Sequence, residues 1–125
     1  LIVDDDDSVR DLLEFVFRKE GFQVDKACDG QEALDKVGAG APDLLLLDLM
    51  MPKYGGFEVL RRLQTTDKSG VPIVVISGRF ADKTTVDMIR QESNVVEFLE
   101  KPVRLPQLLS VVHRVLMTRP KAVGA

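Results

Sequence analysis

The chain has 125 residues, 20 acidic against 17 basic side chains for a formal charge of −3, one cysteine, no tryptophan and 45% hydrophobic residues. That length suits one domain with its own core, and Cys28 alone closes no disulfide and, with the single His113, supplies no zinc site. The mildly acidic balance argues against a nucleic-acid surface, and no apolar run nears the roughly 20 residues of a membrane helix.

Leu1 to Val3 reads as a first strand. Leu1 is not a methionine and already stands inside an apolar run, so a few residues are expected to precede it. No signal-peptide pattern opens the chain, and the lone cysteine fits a reducing compartment, so the expected location is the cytoplasm. Four aspartates, Asp4 to Asp7, come next. Ser8 with Asp11 resembles a capping box for a helix carrying Val9, Leu12, Leu13, Val16 and Phe17, stopped by Gly21. Phe22 to Ala27 alternates apolar and polar residues, as an edge strand does. Asp29 and Glu32 repeat the helix-start signal ahead of Ala33, Leu34 and Val37. Leu44 to Leu47 is continuously apolar, the mark of a strand covered on both faces. Phe57, Leu60 and Leu63 then mark a third helix, and Ile73 to Ile76 a second fully apolar strand. Asp82 opens a less apolar fourth helix through Val86 and Ile89, and Val95 to Leu99 is the fifth strand. Leu105, Leu108, Leu109, Val112, Val115 and Leu116 mark the fifth helix, whose first turn tolerates Pro106. Residues 1–118 are read as the domain. Residues 119–125, with Pro120 and Gly124, are read as a frayed end or the start of a linker.

Five strand–helix alternations predict an α/β fold with three layers, a parallel five-stranded sheet between helices. In such a sheet the ligand site lies beyond the carboxyl ends of the strands. Asp4 and Asp5 follow the first strand, Asp48 the third, Ser77 the fourth and Lys101 the fifth. Three carboxylates packed together repel unless a cation is present. Oxygen-only ligands favour Mg²⁺, with Mn²⁺ as a substitute and Ca²⁺ less suited because it takes more ligands. Lys101 and Ser77 suit an anion with several oxygens, phosphoryl above all. A carboxylate is itself a nucleophile that yields an aspartyl phosphate, and Asp48, alone at the end of a buried strand, is placed for that role.

LIVDDDDSVR (Leu1 to Arg10), LLLLDLMMPKYGGFEVL (Leu44 to Leu60), VPIVVISG (Val71 to Gly78) and EFLEKPV (Glu97 to Val103) resemble the receiver domains of two-component response regulators. The resemblance covers nearly the whole chain in the right order and spacing. It implies a doubly wound (βα)5 flavodoxin-like fold with strand order 2-1-3-4-5. Asp5, assisted by Asp4, matches the Mg²⁺ acids, and Asp48 matches the phosphoacceptor, which also binds metal. The Met50 position supplies a backbone carbonyl to the metal. Ser77 matches the hydroxyl that moves to the phosphoryl group, Lys101 the lysine that pairs with it, and the Lys101–Pro102 bond is expected to be cis. Phe98 is expected to rotate toward the space Ser77 vacates, altering the face of the fourth helix, fifth strand and fifth helix, although it lacks the hydroxyl of a tyrosine. The implied phosphodonor is a phosphohistidine on a sensor histidine kinase or histidine phosphotransfer protein. The same face is where a homodimer contact or an output domain is expected, with no direct nucleic-acid contact by this domain and no membrane. The chain would act as a phosphorelay switch and turn over no substrate of its own. Met50 cannot hydrogen-bond an attacking water and Arg79 is placed to shield the phosphoryl group, so slow dephosphorylation is expected.

Some positions depart from the family pattern. Gly55 stands where an acid or Asn commonly precedes the second glycine, the segment Glu92, Ser93, Asn94 lacks the usual Gly-Ala before the fifth strand, although Asn94 can take a left-handed conformation nearly as Gly does, and Arg104 replaces a capping residue. Plainer roles are expected elsewhere: Asp6 and Asp7 as helix caps, Cys28 as a small buried filler, His113 as an exposed or half-buried helix residue, and Arg61 and Arg62 as a solvated face. Phe98 is a core or half-buried aromatic in any reading. Asp5, Asp7 and Val9 also satisfy the D-x-D-x-V/T pattern of haloacid dehalogenase phosphatases, which would make Asp5 the nucleophile. That alternative ranks second because it leaves Asp48 without a role. A flavodoxin-like nucleotide binder ranks lower, since the acidic mouth repels phosphate and no glycine-rich loop follows the first strand.

Overall fold

The structure, a computed structural model, describes residues 1–40, 42–49, 56–64, 70–78, 87, 89–91 and 94–119. Five strands pair in parallel: β1 (Ile2–Val3), β2 (Lys26–Ala27), β3 (Leu45–Asp48), β4 (Ile73–Ser77) and β5 (Val95–Glu100). Their order is β2-β1-β3-β4-β5, as expected. Helices α1 (Asp7–Lys19), α2 (Gly30–Ala39) and α3 (Gly56–Gln64) and a C-terminal helix (Leu105–Leu116) flank the sheet. Asp87, Ile89 and Arg90 are helical. Asp82 and Val86, expected in the same helix, lie outside the described residues.

The two-residue period of a strand sorts the apolar side chains into two cores. Val3, Leu45, Leu47, Ile73 and Val75 pack with Ala33 and Val37 of α2 and Val59, Leu60 and Leu63 of α3. Ile2, Leu44, Leu46, Val74 and Leu99 pack with Leu13 and Phe17 of α1 and Leu108, Val111 and Val112 of the C-terminal helix. Every residue of β3 and β4 is buried, which is why both strands are continuously apolar up to the polar residues at their ends, Asp48 and Ser77. Each fully buried Leu, Ile or Val contributes roughly 1.5–3 kcal/mol.

Local signals explain the helix ends, with two corrections. The N-cap of α1 is Asp6, whose carboxylate accepts from the N–H groups of Ser8 (2.9 Å) and Val9 (3.3 Å). Ser8 lies inside the first turn, so the expected Ser8–Asp11 box is not the cap. An acid at the N-cap satisfies orphan donors and complements the positive helix end together. Asp29 caps α2 as expected, accepting from Glu32 N–H at 2.8 Å. Gly21, at φ 94°, closes α1 in a Schellman turn. Phe22 N–H donates to Phe17 O and Gly21 N–H to Arg18 O, both at 3.0 Å, and the Phe17 and Phe22 rings meet edge-on at 6.0 Å. That turn consumes Phe22, so β2 is paired at Lys26–Ala27 and not from Phe22 onward. Pro106 sits in the first turn of the C-terminal helix, and Arg104 makes no side-chain cap, both as expected. The helix ends at Met117, left-handed at φ 56°, with Thr118 N–H donating to His113 O at 2.9 Å.

Two side chains differ from expectation. Cys28 is exposed, not a buried filler. Its thiol faces Asp29 and Glu32, and local desolvation, then the Glu32 and Asp29 charges, raise its pKa. His113 is buried, because the helix turns it toward Glu20 at the end of α1, where Nε2 stands 3.0 Å from Glu20 Oε2 and Nδ1 2.7 Å from Thr118 Oγ1.

Candidate functional site

Parallel pairing brings the carboxyl ends of all five strands to one rim. Backbone bonds then set the relative positions of the polar residues. Asp4 N–H donates to Ala27 O at 3.2 Å, the residue after Asp48 donates from Leu49 N–H to Ile76 O at 2.8 Å, and Lys101 N–H donates to Ser77 O at 2.7 Å. Ladder bonds between neighbouring strands thus place all four positions.

Asp4, Asp5 and Asp48 each offer a carboxylate oxygen, all within 4.8 Å of one another. Asp4 and Asp48 are each 3% exposed, whereas Asp5 is exposed. Lys101 Nζ donates to Asp48 Oδ2 at 3.2 Å and to Asp4 Oδ2 at 3.4 Å. Burial works to lower the Lys101 pKa, but the charges of Asp48 and Asp4 outweigh it and hold the ammonium above its ordinary value. Three carboxylates around one ammonium leave this group with excess negative charge. An all-oxygen donor set, two members buried and one open to water, fits a hard divalent ion that keeps part of its hydration shell.

The supports of Asp4 are local. Its Oδ1 accepts from Asp6 N–H at 2.9 Å, and its carbonyl accepts from Arg10 Nη1 at 2.6 Å. Arg10 also pairs with Asp7. Sequence reasoning passed over Arg10, although its spacing, three residues beyond Asp7 on one helix, was the signal for that pair.

The remaining expected residues are distributed as follows. Ser77, fully buried at the end of β4, turns its hydroxyl to Gly78 O at 3.2 Å. Phe98 is 8% exposed in the core beneath α2 and α3 and has the Arg90 guanidinium carbon 5.8 Å from its ring centroid. The Lys101–Pro102 bond is cis. Met50 and Arg79 lie outside the described residues.

The family model for the "Response regulator receiver domain" matches residues 1–113. Over 121 residues the chain is 38% identical to response regulator MprA of Mycobacterium avium, covering 97% of this chain and 51% of that protein. The MprA of Mycobacterium tuberculosis matches with the same identity and coverage. The chain therefore spans about half the length of these curated relatives. Among solved structures, the receiver domain of NtrX from Brucella abortus superposes with a TM-score of 0.81 at 31% identity, covering 94% of this chain and 98% of that one. A response regulator receiver protein from Pseudomonas putida gives 0.82 at 28% identity, covering 90% and 93%. No described helix is long and apolar enough to cross a membrane.

Proposed function

The chain belongs to the response regulator receiver family, and from that premise we propose that Asp48 is its phosphoacceptor. The carrying observation is the buried Asp48 carboxylate, 3.2 Å from Lys101 Nζ and grouped with Asp4 and Asp5. In the proposed transfer an Asp48 oxygen bonds to the phosphorus of a phosphohistidine. The P–N bond breaks, its electron pair stays on the imidazole, and an acyl phosphate remains on the chain. Lys101, already between Asp48 and Asp4, provides the fixed positive charge for the incoming oxygens. Asp4, Asp5 and Asp48, with the backbone carbonyl of Met50, would hold Mg²⁺, or Mn²⁺ in its place, which when bound supplies further charge neutralisation. Asp6 N–H keeps the Asp4 carboxylate oriented for that role. Ser77 must give up Gly78 O to donate to a phosphoryl oxygen, and Phe98, on the adjoining strand, is the residue expected to respond. Met50 and Arg79 would set the lifetime of the acyl phosphate.

On this reading residues 1–118 are the switching unit and 119–125 lead out of it. The partner is a sensor histidine kinase or histidine phosphotransfer protein in the cytoplasm. The face around β5 serves an output domain or a second copy. The domain's own chemistry is limited to gaining and losing its phosphoryl group. The haloacid dehalogenase alternative finds little support at Asp7, whose side chain is 85% exposed and paired with Arg10. Incubation with acetyl phosphate and Mg²⁺ tests the assignment. Hydroxylamine-labile phosphate is expected on Asp48 by peptide mapping and is expected to fall to background in Asp48→Asn. Label that persists in Asp48→Asn and maps to Asp5 would overturn it in favour of the alternative.

A further inference from the structure

Glu97 and Phe98 are successive residues of β5, so their side chains leave opposite faces of the sheet. Each meets an arginine from a flanking helical segment. Glu97 Oε2 accepts from Arg114 Nη2 of the C-terminal helix at 3.1 Å. Phe98 packs in the core with Val75 and Ile89, and the guanidinium carbon of Arg90 stands 5.8 Å from its ring centroid. Ile89 is 2% exposed and Phe98 8%, whereas their neighbour Arg90 is exposed. An exposed cation thus covers a buried ring, within the distance at which a guanidinium is attracted to an aromatic face.

We propose that Arg90 is a positioning residue for Phe98: its guanidinium holds the ring in the buried rotamer and couples β5 to the helical residues Asp87, Ile89 and Arg90. A turn of the ring toward the space beside Ser77, like one toward solvent, requires the guanidinium to give up its face, so Arg90 sets how readily this side of the domain rearranges. This inference rests on the phosphoacceptor reading of Asp48 and adds a residue, remote from the acidic rim, that tunes the response. Lysine keeps the charge but not the flat guanidinium, and glutamine keeps neither, so the two replacements grade the contact.

The test uses the whole chain with ring-¹³C phenylalanine, the Phe98 signal being assigned from Phe98→Leu. Arg90→Gln is expected to lower the ratio of buried to exposed ring about two- to fivefold, the range that a partly exposed cation–π contact supplies. Arg90→Lys is expected to recover part of it. An unchanged Phe98 signal in Arg90→Gln, or a loss in Arg90→Lys as large as in Arg90→Gln, would overturn the inference. Acetyl phosphate labelling of the unsubstituted chain in the same buffer separates the two readings. Absence of label on Asp48 would overturn the phosphoacceptor assignment, and the ring populations would still decide the contact.

Discussion

At the carboxyl ends of the strands, Asp4 and Asp48 are each 3% exposed and share Lys101 beside the exposed Asp5. At the opposite end, where α1 and the C-terminal helix finish, His113 is 5% exposed and places Nε2 against Glu20 and Nδ1 against Thr118. Both clusters bury titratable side chains, yet their balance differs. The rim gathers three carboxylates about one ammonium, whereas each imidazole nitrogen of His113 has a partner within the chain. A buried polar group with its partners supplied by the fold stabilises that fold. Carboxylates gathered in excess of their local countercharge repel, and an external cation relieves that repulsion, so they hold a capacity to bind. Charge balance, more than burial, separates the acidic rim from the His113 cluster.

Substitution at the balanced end tests this contrast most severely. His113→Ala leaves Glu20 and Thr118 without the imidazole and opens a cavity, and is expected to lower unfolding free energy by about 2–4 kcal/mol in urea titration. The same variant is expected to keep its acetyl phosphate label on Asp48. Loss of label with little loss of stability would reverse the roles of the two ends. At the rim the expected effect is smaller and of opposite sign. Mg²⁺ at tenfold its own dissociation constant should stabilise the chain by about 1.4 kcal/mol, read as a rise in Tm that Asp5→Asn diminishes. An unchanged Tm at millimolar Mg²⁺ would remove the rim's claim to a cation. The mildest change falls beside His113, where Met117 adopts the left-handed conformation at φ 56° with its side chain 91% exposed. Met117→Gly removes a strained Cβ and little packing, and should stabilise by roughly 0.5–1 kcal/mol without altering Mg²⁺ binding.

Much of the fold was legible because the relevant forces are local or periodic. Leu45 to Leu47 and Ile73 to Ile76 are apolar without interruption because both faces of β3 and β4 are covered. Asp29 and Gly21 announced a helix start and a helix stop that depend only on neighbouring backbone groups. The cap of α1 was harder to read, since Asp6 and Ser8 both carry suitable oxygens and the choice depends on where the chain turns after β1. Alternation from Phe22 to Asp25 suggested pairing, but the closing turn of α1 had a prior use for Phe22. At the rim, the order of the strands made Asp4, Asp5, Asp48, Ser77 and Lys101 legible as one group. The direction of the Ser77 hydroxyl toward Gly78 was not, because a hydroxyl rotates freely until its surroundings choose for it.

The amino-acid sequence by itself determined the alternation of strand and helix, the two-sided burial of β3 and β4 and the polar residues at the strand ends, since periodicity and spacing along the chain specify these. Only the tertiary structure decided which of those polar groups meet. Lys101 lies 97 residues from Asp4 and His113 lies 93 from Glu20, and each pair depends on separations near 3 Å. Hydrogen bonds weaken steeply beyond such distances, so the pairing of the strands selected the partners of Lys101, and the packing of α1 and the C-terminal helix on one face of the sheet selected those of His113.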